Sequence, residues 1–115
     1  MDADELLKRY KRGERGFNSA ELSAAKLMNA KLSFIDLSFA NLSGADLRGT
    51  DLFGADLRGA NLVKAQLGGA NLIRANLRGA KLQGADLRGA QLRETNLIGV
   101  SSDEQTRFPD GFSLS

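Results

Sequence analysis

The chain has no cysteine and no histidine, and only one of its 115 residues is proline. Without cysteine, disulfides and thiolate metal sites are excluded. Without histidine, the commonest general base and the commonest transition-metal ligand are both missing. No cofactor is expected. A preponderance of one charge is lacking too. The 16 Lys and Arg stand against 14 Asp and Glu, so the balance points to neither nucleic acid nor membrane. No apolar run approaches the ~20 residues of a membrane span. The opening Met1-Asp-Ala-Asp-Glu-Leu-Leu is acidic where a signal peptide needs basic residues. A cytoplasmic location is the expectation.

What the chain has in abundance is a repeat. Leu recurs at every fifth position from Leu22 to Leu97, sixteen times, and Phe17 holds the same phase one step earlier. Ala stands two residues before thirteen of those Leu, the exceptions being Ile35, Thr50 and Thr95. The residue between Ala and Leu is always polar, most often Asp or Asn. Gly is the favoured last residue, at nine of seventeen positions.

A helix cannot hold this pattern. Five residues at ~100° each carry successive Leu ~140° around the axis, so no apolar face forms. Each Gly would further cost a helix ~1 kcal/mol. A straight strand fails as well, because an odd period sends alternate Leu to opposite sides. Within one repeat the strand rule does hold: Ala and Leu point one way and the polar residue points away. The last two residues must then turn the chain, and a type II turn accounts for Gly at its second central position. Asn29 suits that conformation. Phe34, Phe39, Lys64, Arg74 and Glu94 do not, so a different turn is expected at those corners.

A chain that bends the same way every five residues with Ala and Leu inside is a coil. The unit Ala-Asp/Asn-Leu-x-x resembles the signature of the pentapeptide-repeat family across roughly residues 15–100. The resemblance implies an all-β fold, a right-handed quadrilateral β-helix with four repeats per coil and about four coils. At ~4.8 Å per coil the stack is a rod about 20 Å long. Leu22, Leu42, Leu62, Leu82, Leu57 and Leu77 are expected in a filled core that leaves no internal pocket.

Both ends of such a stack need covering. Residues 1–14 are expected to form an N-terminal helical cap: Asp2 or Asp4 as N-cap, Leu6, Leu7 and Tyr10 on the buried face, Gly13 as the stop. Leu6-Leu7-Lys8-Arg9-Tyr10 followed by Gly13-Glu14-Arg15-Gly16-Phe17 is similar to the leader of cyanobacterial members of the family. The basic run Lys8–Arg12 is taken as a solvated helix end. Residues 101–115 are expected to cap the other end, with Phe108 and Phe112 flanking the turn Pro109-Asp110-Gly111 and plugging the last coil.

Any activity must sit on the outer faces. With four repeats per coil, residues twenty apart stack as columns. Arg48 beside Asp46 and Arg88 beside Asp86 are expected to pair. The column Ser33, Phe53, Ile73, Arg93, with Phe34 at the corner before Phe53, gives a candidate partner-contact patch of Phe34, Phe53 and Ile73. Phe39 belongs either to that patch or to the N-terminal cap. Asp36 and Asp56, stacked on a flat wall, lack the concavity of a catalytic dyad and the ligand count of a calcium site.

The expected function is therefore a non-catalytic scaffold or protein-interaction module, not an enzyme. Its expected partner is another protein, with no membrane contact. Capped ends favour a monomer, although the apolar column could pair two copies. The resemblance supplies an alternative, a DNA mimic that inhibits DNA gyrase, disfavoured because residues 15–99 are net positive. A third possibility, nucleic-acid binding through Arg48, Arg58, Arg78 and Arg88, is weakened by the aspartates interleaved with them and by the lack of aromatic stacking partners there.

Overall fold

Each Leu carbonyl of the repeat accepts the N–H of the residue three on, usually Ala, closing a β-turn at every corner. Leu42 O to Ala45 N and Leu52 O to Ala55 N are both 3.0 Å. The second central residue of each turn has positive φ, which makes the turns type II. Repeated every five residues, these turns wind the chain into coils. A computed structural model of the chain describes residues 1–114. Parallel bridges join residues twenty apart, from Gly16–Asp36 through to Lys81–Ser101, so each coil contains four five-residue sides.

The corners correct one expectation. Phe34, Phe39, Lys64, Arg74 and Glu94 have φ of 60°, 59°, 61°, 60° and 58°, the same region as the glycine corners. A left-handed residue with a side chain costs roughly 1–2 kcal/mol. The stack imposes it regardless. From Ser19 to Gly79 the N–H of each corner residue donates to a carbonyl of the following coil, as Phe34 N does to Phe53 O at 2.8 Å. A different turn would break that register in every coil above it.

The backbone donors of the repeat can be followed one by one. The Leu N–H reaches the carbonyl of a polar residue in the next coil, as Leu42 N does to Asn61 O. The polar residue's own N–H returns to an Ala carbonyl in the coil before, as Asn61 N does to Ala40 O. Corner and Ala N–H groups are used as above. That leaves the residue after Leu, whose N–H is taken by the side chain of the polar residue two before it. Asn61 Oδ1 accepts from Val63 N at 3.0 Å, Asn71 Oδ1 from Ile73 N at 3.0 Å and Asp86 Oδ1 from Arg88 N at 3.1 Å. The preference for Asp and Asn is thus a hydrogen-bond requirement, since buried backbone donors need partners.

Inside, Leu22, Leu42, Leu62 and Leu82 form one column, and Leu57 and Leu77 belong to another with Phe17 and Leu37; all seven named Leu are at most 1% exposed. Thr50 and Thr95 replace Ala without disturbing the core. Each hydroxyl donates 2.7 Å to a Leu carbonyl of the preceding coil, Leu27 and Leu72 respectively.

Helix α1, Ala3–Lys11, covers the first coil. Asp2 caps it by accepting from Glu5 N at 2.9 Å, Leu6 is fully buried, and the Tyr10 hydroxyl donates to Ser33 O at 2.8 Å. Of the basic run, Arg9 pairs with Glu14 at 2.9 Å and lies 4.9 Å from the centre of the Phe17 ring.

At the far end the ladder continues past the last five-residue repeat, with one residue inserted. Asp86 bridges Arg107, twenty-one positions on. Thr106 takes an Ala-type position and donates 2.7 Å to Leu82 O, as Thr50 and Thr95 do in their coils. Asp103 absorbs the insertion: its Oδ1 accepts the Gly84 N–H at 3.0 Å, where a ladder carbonyl serves the corners from Ser19 to Gly79. Phe108 then packs on the core, with the Phe112 ring 5.2 Å from it.

Candidate functional site

The twenty-residue register places Phe34, Gly54, Arg74 and Glu94 along one corner and Ser33, Phe53, Ile73 and Arg93 along the wall beside it. The structure brings the expected patch together. The rings of Phe34 and Phe53 meet edge-on at 81°, centroids 5.5 Å apart. Ile73 continues the column one coil further. The three are not equally displayed, however. Phe34 is 63% exposed, Phe53 is half-buried and Ile73 is only 9% exposed. The accessible apolar surface there is mainly the ring of Phe34.

Phe39, left between the patch and the cap, belongs to neither. It is 65% exposed at the next corner, with its ring over Gly59 in the following coil. Phe34 lies over Gly54 in the same way, and a Cβ built on Gly54 would be 2.6 Å from the ring. These glycines are floors for large side chains of the coil before. That signal was available in the sequence as the spacing of twenty between Phe34 and Gly54 and between Phe39 and Gly59.

The charged walls are internally paired. Arg48 and Arg88 reach Asp46 and Asp86 as expected, with Nη2–Oδ2 distances of 2.7 Å. Arg58 makes the same two-residue clasp on Asp56, again at 2.7 Å. Hydrogen bonds from the guanidinium groups hold Asp46, Asp56 and Asp86 below their ordinary range, partly opposed by desolvation. Arg48, Arg58 and Arg88 are correspondingly raised, first by those same hydrogen bonds. Asp36 accepts from the Ser38 hydroxyl at 2.6 Å and from its N–H at 2.9 Å. Asp36 and Asp56 are therefore each tied to the residue two positions on. Among the described residues no group of three or more carboxylates, His or Cys could hold a metal.

A stack of four-sided coils with a filled core and hydrogen-bonded polar walls defines a solenoid whose display is confined to its outside. The pentapeptide-repeat model matches residues 20–59, 30–69 and 60–99. This chain belongs to the pentapeptide-repeat family. Among solved structures it is similar to Rfr23, a pentapeptide repeat protein from the cyanobacterium Cyanothece 51142. That match has 45% identity, a TM-score of 0.80 and coverage of 81% of this chain and 63% of the other. It is also similar to alr5209, a pentapeptide repeat protein from Nostoc PCC 7120, at 42% identity and a TM-score of 0.62, covering 98% and 89% of the two chains. A third relative is AT2G44920, a pentapeptide repeat protein from the Arabidopsis thaliana thylakoid lumen. It shares 31% identity with a TM-score of 0.74, covering 81% and 68%. The chain thus spans under two thirds of the length of Rfr23. No curated protein matches it. No helix among the described residues is long and apolar enough to cross a membrane.

Proposed function

We propose that the chain is a non-catalytic scaffold, a right-handed quadrilateral solenoid of about four coils, that binds another protein through the wall carrying Phe34, Phe53 and Ile73. The observation that carries this reading is Phe34. Its ring is 63% exposed, yet it is held in place by Gly54 below it and by the edge-on contact with Phe53. A fixed, exposed aromatic on a small protein is the kind of anchor that interfaces use. The absence of His and Cys from the sequence supports a non-catalytic role.

Two other readings are weaker. Mimicry of DNA toward gyrase calls for an acidic rod, whereas residues 15–99 carry 11 basic and 7 acidic side chains. Nucleic-acid binding through arginine columns is opposed by the clasps that occupy Arg48, Arg58 and Arg88.

The test is affinity capture from the native extract with wild type, Phe34→Asp and Phe53→Asp, each first shown to be folded by circular dichroism. A specific partner recovered by wild type and lost with Phe34→Asp supports the reading. A partner retained equally by both variants overturns it, as does no specific partner at all.

A further inference from the structure

Phe34 and Phe39 stand on the two edges of one wall at one level of the stack, five residues apart on adjacent corners. This wall adjoins the one just described and shares only Phe34 with it. Both rings are exposed, at 63% and 65%, and both are seated on glycine. Between the two corners the wall carries Asp36 beside Ser38, then Asp56 beside Arg58, Asn76 beside Arg78 and Asn96 beside Ile98 in successive coils. In each pair the first residue lies toward the Phe34 edge and the second toward the Phe39 edge.

That arrangement complements itself. Turn a second copy by half a turn about a line running up the interface, along the stack. Each level then faces the same level, and the two edges exchange. Phe34 meets Phe39 of the second copy, and Phe39 meets its Phe34. Asp56 meets Arg58 of the second copy, twice, and Asn76 meets Arg78. The opposite docking, with the stacks antiparallel about the Asp56 level, sets Asp56 against Asp56 and Phe34 against Arg74. Like charges then oppose, and the aromatic pairs are lost.

We propose that this wall, bounded by Phe34 and Phe39, is a parallel two-fold interface between two copies of the chain. Edge-on or offset pairs of aromatic rings bring stabilisation beyond their burial. The Arg58–Asp56 clasp on each copy can be shared with or exchanged for its counterpart, so no charge is left unpaired. Closed two-fold contact of one patch with itself is the common form of homo-oligomer. The cross-section of 23 by 22 Å limits what the wall can bury. A face of roughly 20 by 20 Å gives ~400 Å² per copy, about half of a standard interface, so the dimer is weak and concentration-dependent.

The test uses the full chain in sedimentation equilibrium from ~10 μM to ~1 mM, the range expected for a small interface. Wild type is expected to dimerise within that range. Phe39→Ser, at an exposed corner, is expected to weaken association about tenfold or more while leaving the circular dichroism spectrum unchanged. Asp56→Arg alone is expected to abolish association, and Asp56→Arg with Arg58→Asp to restore it. Because the chain has no cysteine, orientation can be read by cross-linking. Asn76→Cys chains mixed with Arg78→Cys chains should form disulfides, and Asn76→Cys mixed with Asp36→Cys should not. Wild type that stays monomeric throughout overturns the proposal, as does a dimer indifferent to Phe39→Ser and to the charge reversal. So does cross-linking in the antiparallel combination alone. Phe39→Ser reports on this wall and Phe53→Asp on the neighbouring one, so failure of either reading is distinguishable.

Discussion

The ring of Phe34 rests on Gly54, the residue twenty positions later at the same corner, so closely that a methyl group on Gly54 would lie 2.6 Å from the ring. Gly54 therefore has two reasons to be glycine, its φ of +66° and the ring above it. Gly69 has only the first, with φ +69° and nothing within 4 Å. Both Gly→Ala substitutions should destabilise by the left-handed cost of roughly 1–2 kcal/mol. Gly54→Ala should cost about 1 kcal/mol more, because the ring must swing off its floor and away from Phe53. That excess should vanish in a Phe34→Ala background. Urea unfolding of the four chains measures it as a double-mutant cycle.

The Asp or Asn before each Leu is expected to matter through the N–H two residues on. Asn71 is the sharpest case, since the N–H it accepts belongs to Ile73, which is only 9% exposed. Asn71→Ala should leave a buried donor unpaired and destabilise by about 1–3 kcal/mol. Asn71→Asp retains that acceptor but replaces the Nδ2 facing Asp51 Oδ1 at 3.5 Å with a second carboxylate, so it should recover only part of the loss. Gln66 holds no such bond to Gly68, so Gln66→Ala should change stability by under about 0.5 kcal/mol. Equality of Asn71→Ala and Gln66→Ala in denaturant midpoint would remove this explanation of the repeat.

These two cases show what the sequence exposes and what it hides. The period of five, the inward Ala and Leu and the capping helix were all legible, because each depends on side-chain type at a spacing within one repeat. Two kinds of feature were not. One was the shared left-handed conformation of corners as unlike as Phe34, Lys64 and Gly44. It is set by the ladder between coils, which overrides the preference of the individual residue. The other was the partition of the Phe34, Phe53, Ile73 patch into one exposed, one half-buried and one buried side chain. That depends on how residues twenty apart lean on each other. Phe39 was left open between patch and cap because it shares a wall with Phe34 but no column.

Thr50 looks in sequence like a flaw in the Ala pattern, and restoring Ala is the obvious stabilising change. The structure predicts the reverse. Its buried hydroxyl donates 2.7 Å to Leu27 O in the preceding coil, and the fully buried side chain fills its site. Thr50→Ala should destabilise by about 1–2 kcal/mol through the lost bond and the small void. Thr50→Val keeps the volume and isolates the hydrogen bond, with an expected loss of about 1 kcal/mol. A thermal melt in which Thr50→Ala rises above wild type would refute the role given to the hydroxyl.

Acid should weaken the fold, and neutral pH should not. Asp46, Asp56 and Asp86 are held below the ordinary value of 3.8 chiefly by hydrogen bonds from Arg48, Arg58 and Arg88. Asp103 is lowered as well, first by the Gly84 N–H. A carboxylate with a depressed folded pKa contributes stability that is present above its unfolded value and is lost as pH falls through the folded one. Stability should thus be flat from about pH 5.5 to 8, where no histidine titrates, and should fall progressively below about pH 4. The losses should also be local. Protonating Asp103 weakens the acceptor that serves Gly84 N–H at the inserted residue, so the tail should loosen first. Hydrogen exchange at pH 5 and pH 3 checks this: protection at Gly84 and Thr106 should drop before that at Leu57 and Leu62. Asp103→Ala at neutral pH should reproduce the drop at Gly84 and Thr106 and spare the middle coils. If the middle coils open together with the tail in that variant, Asp103 does not act as the local tie for the inserted residue.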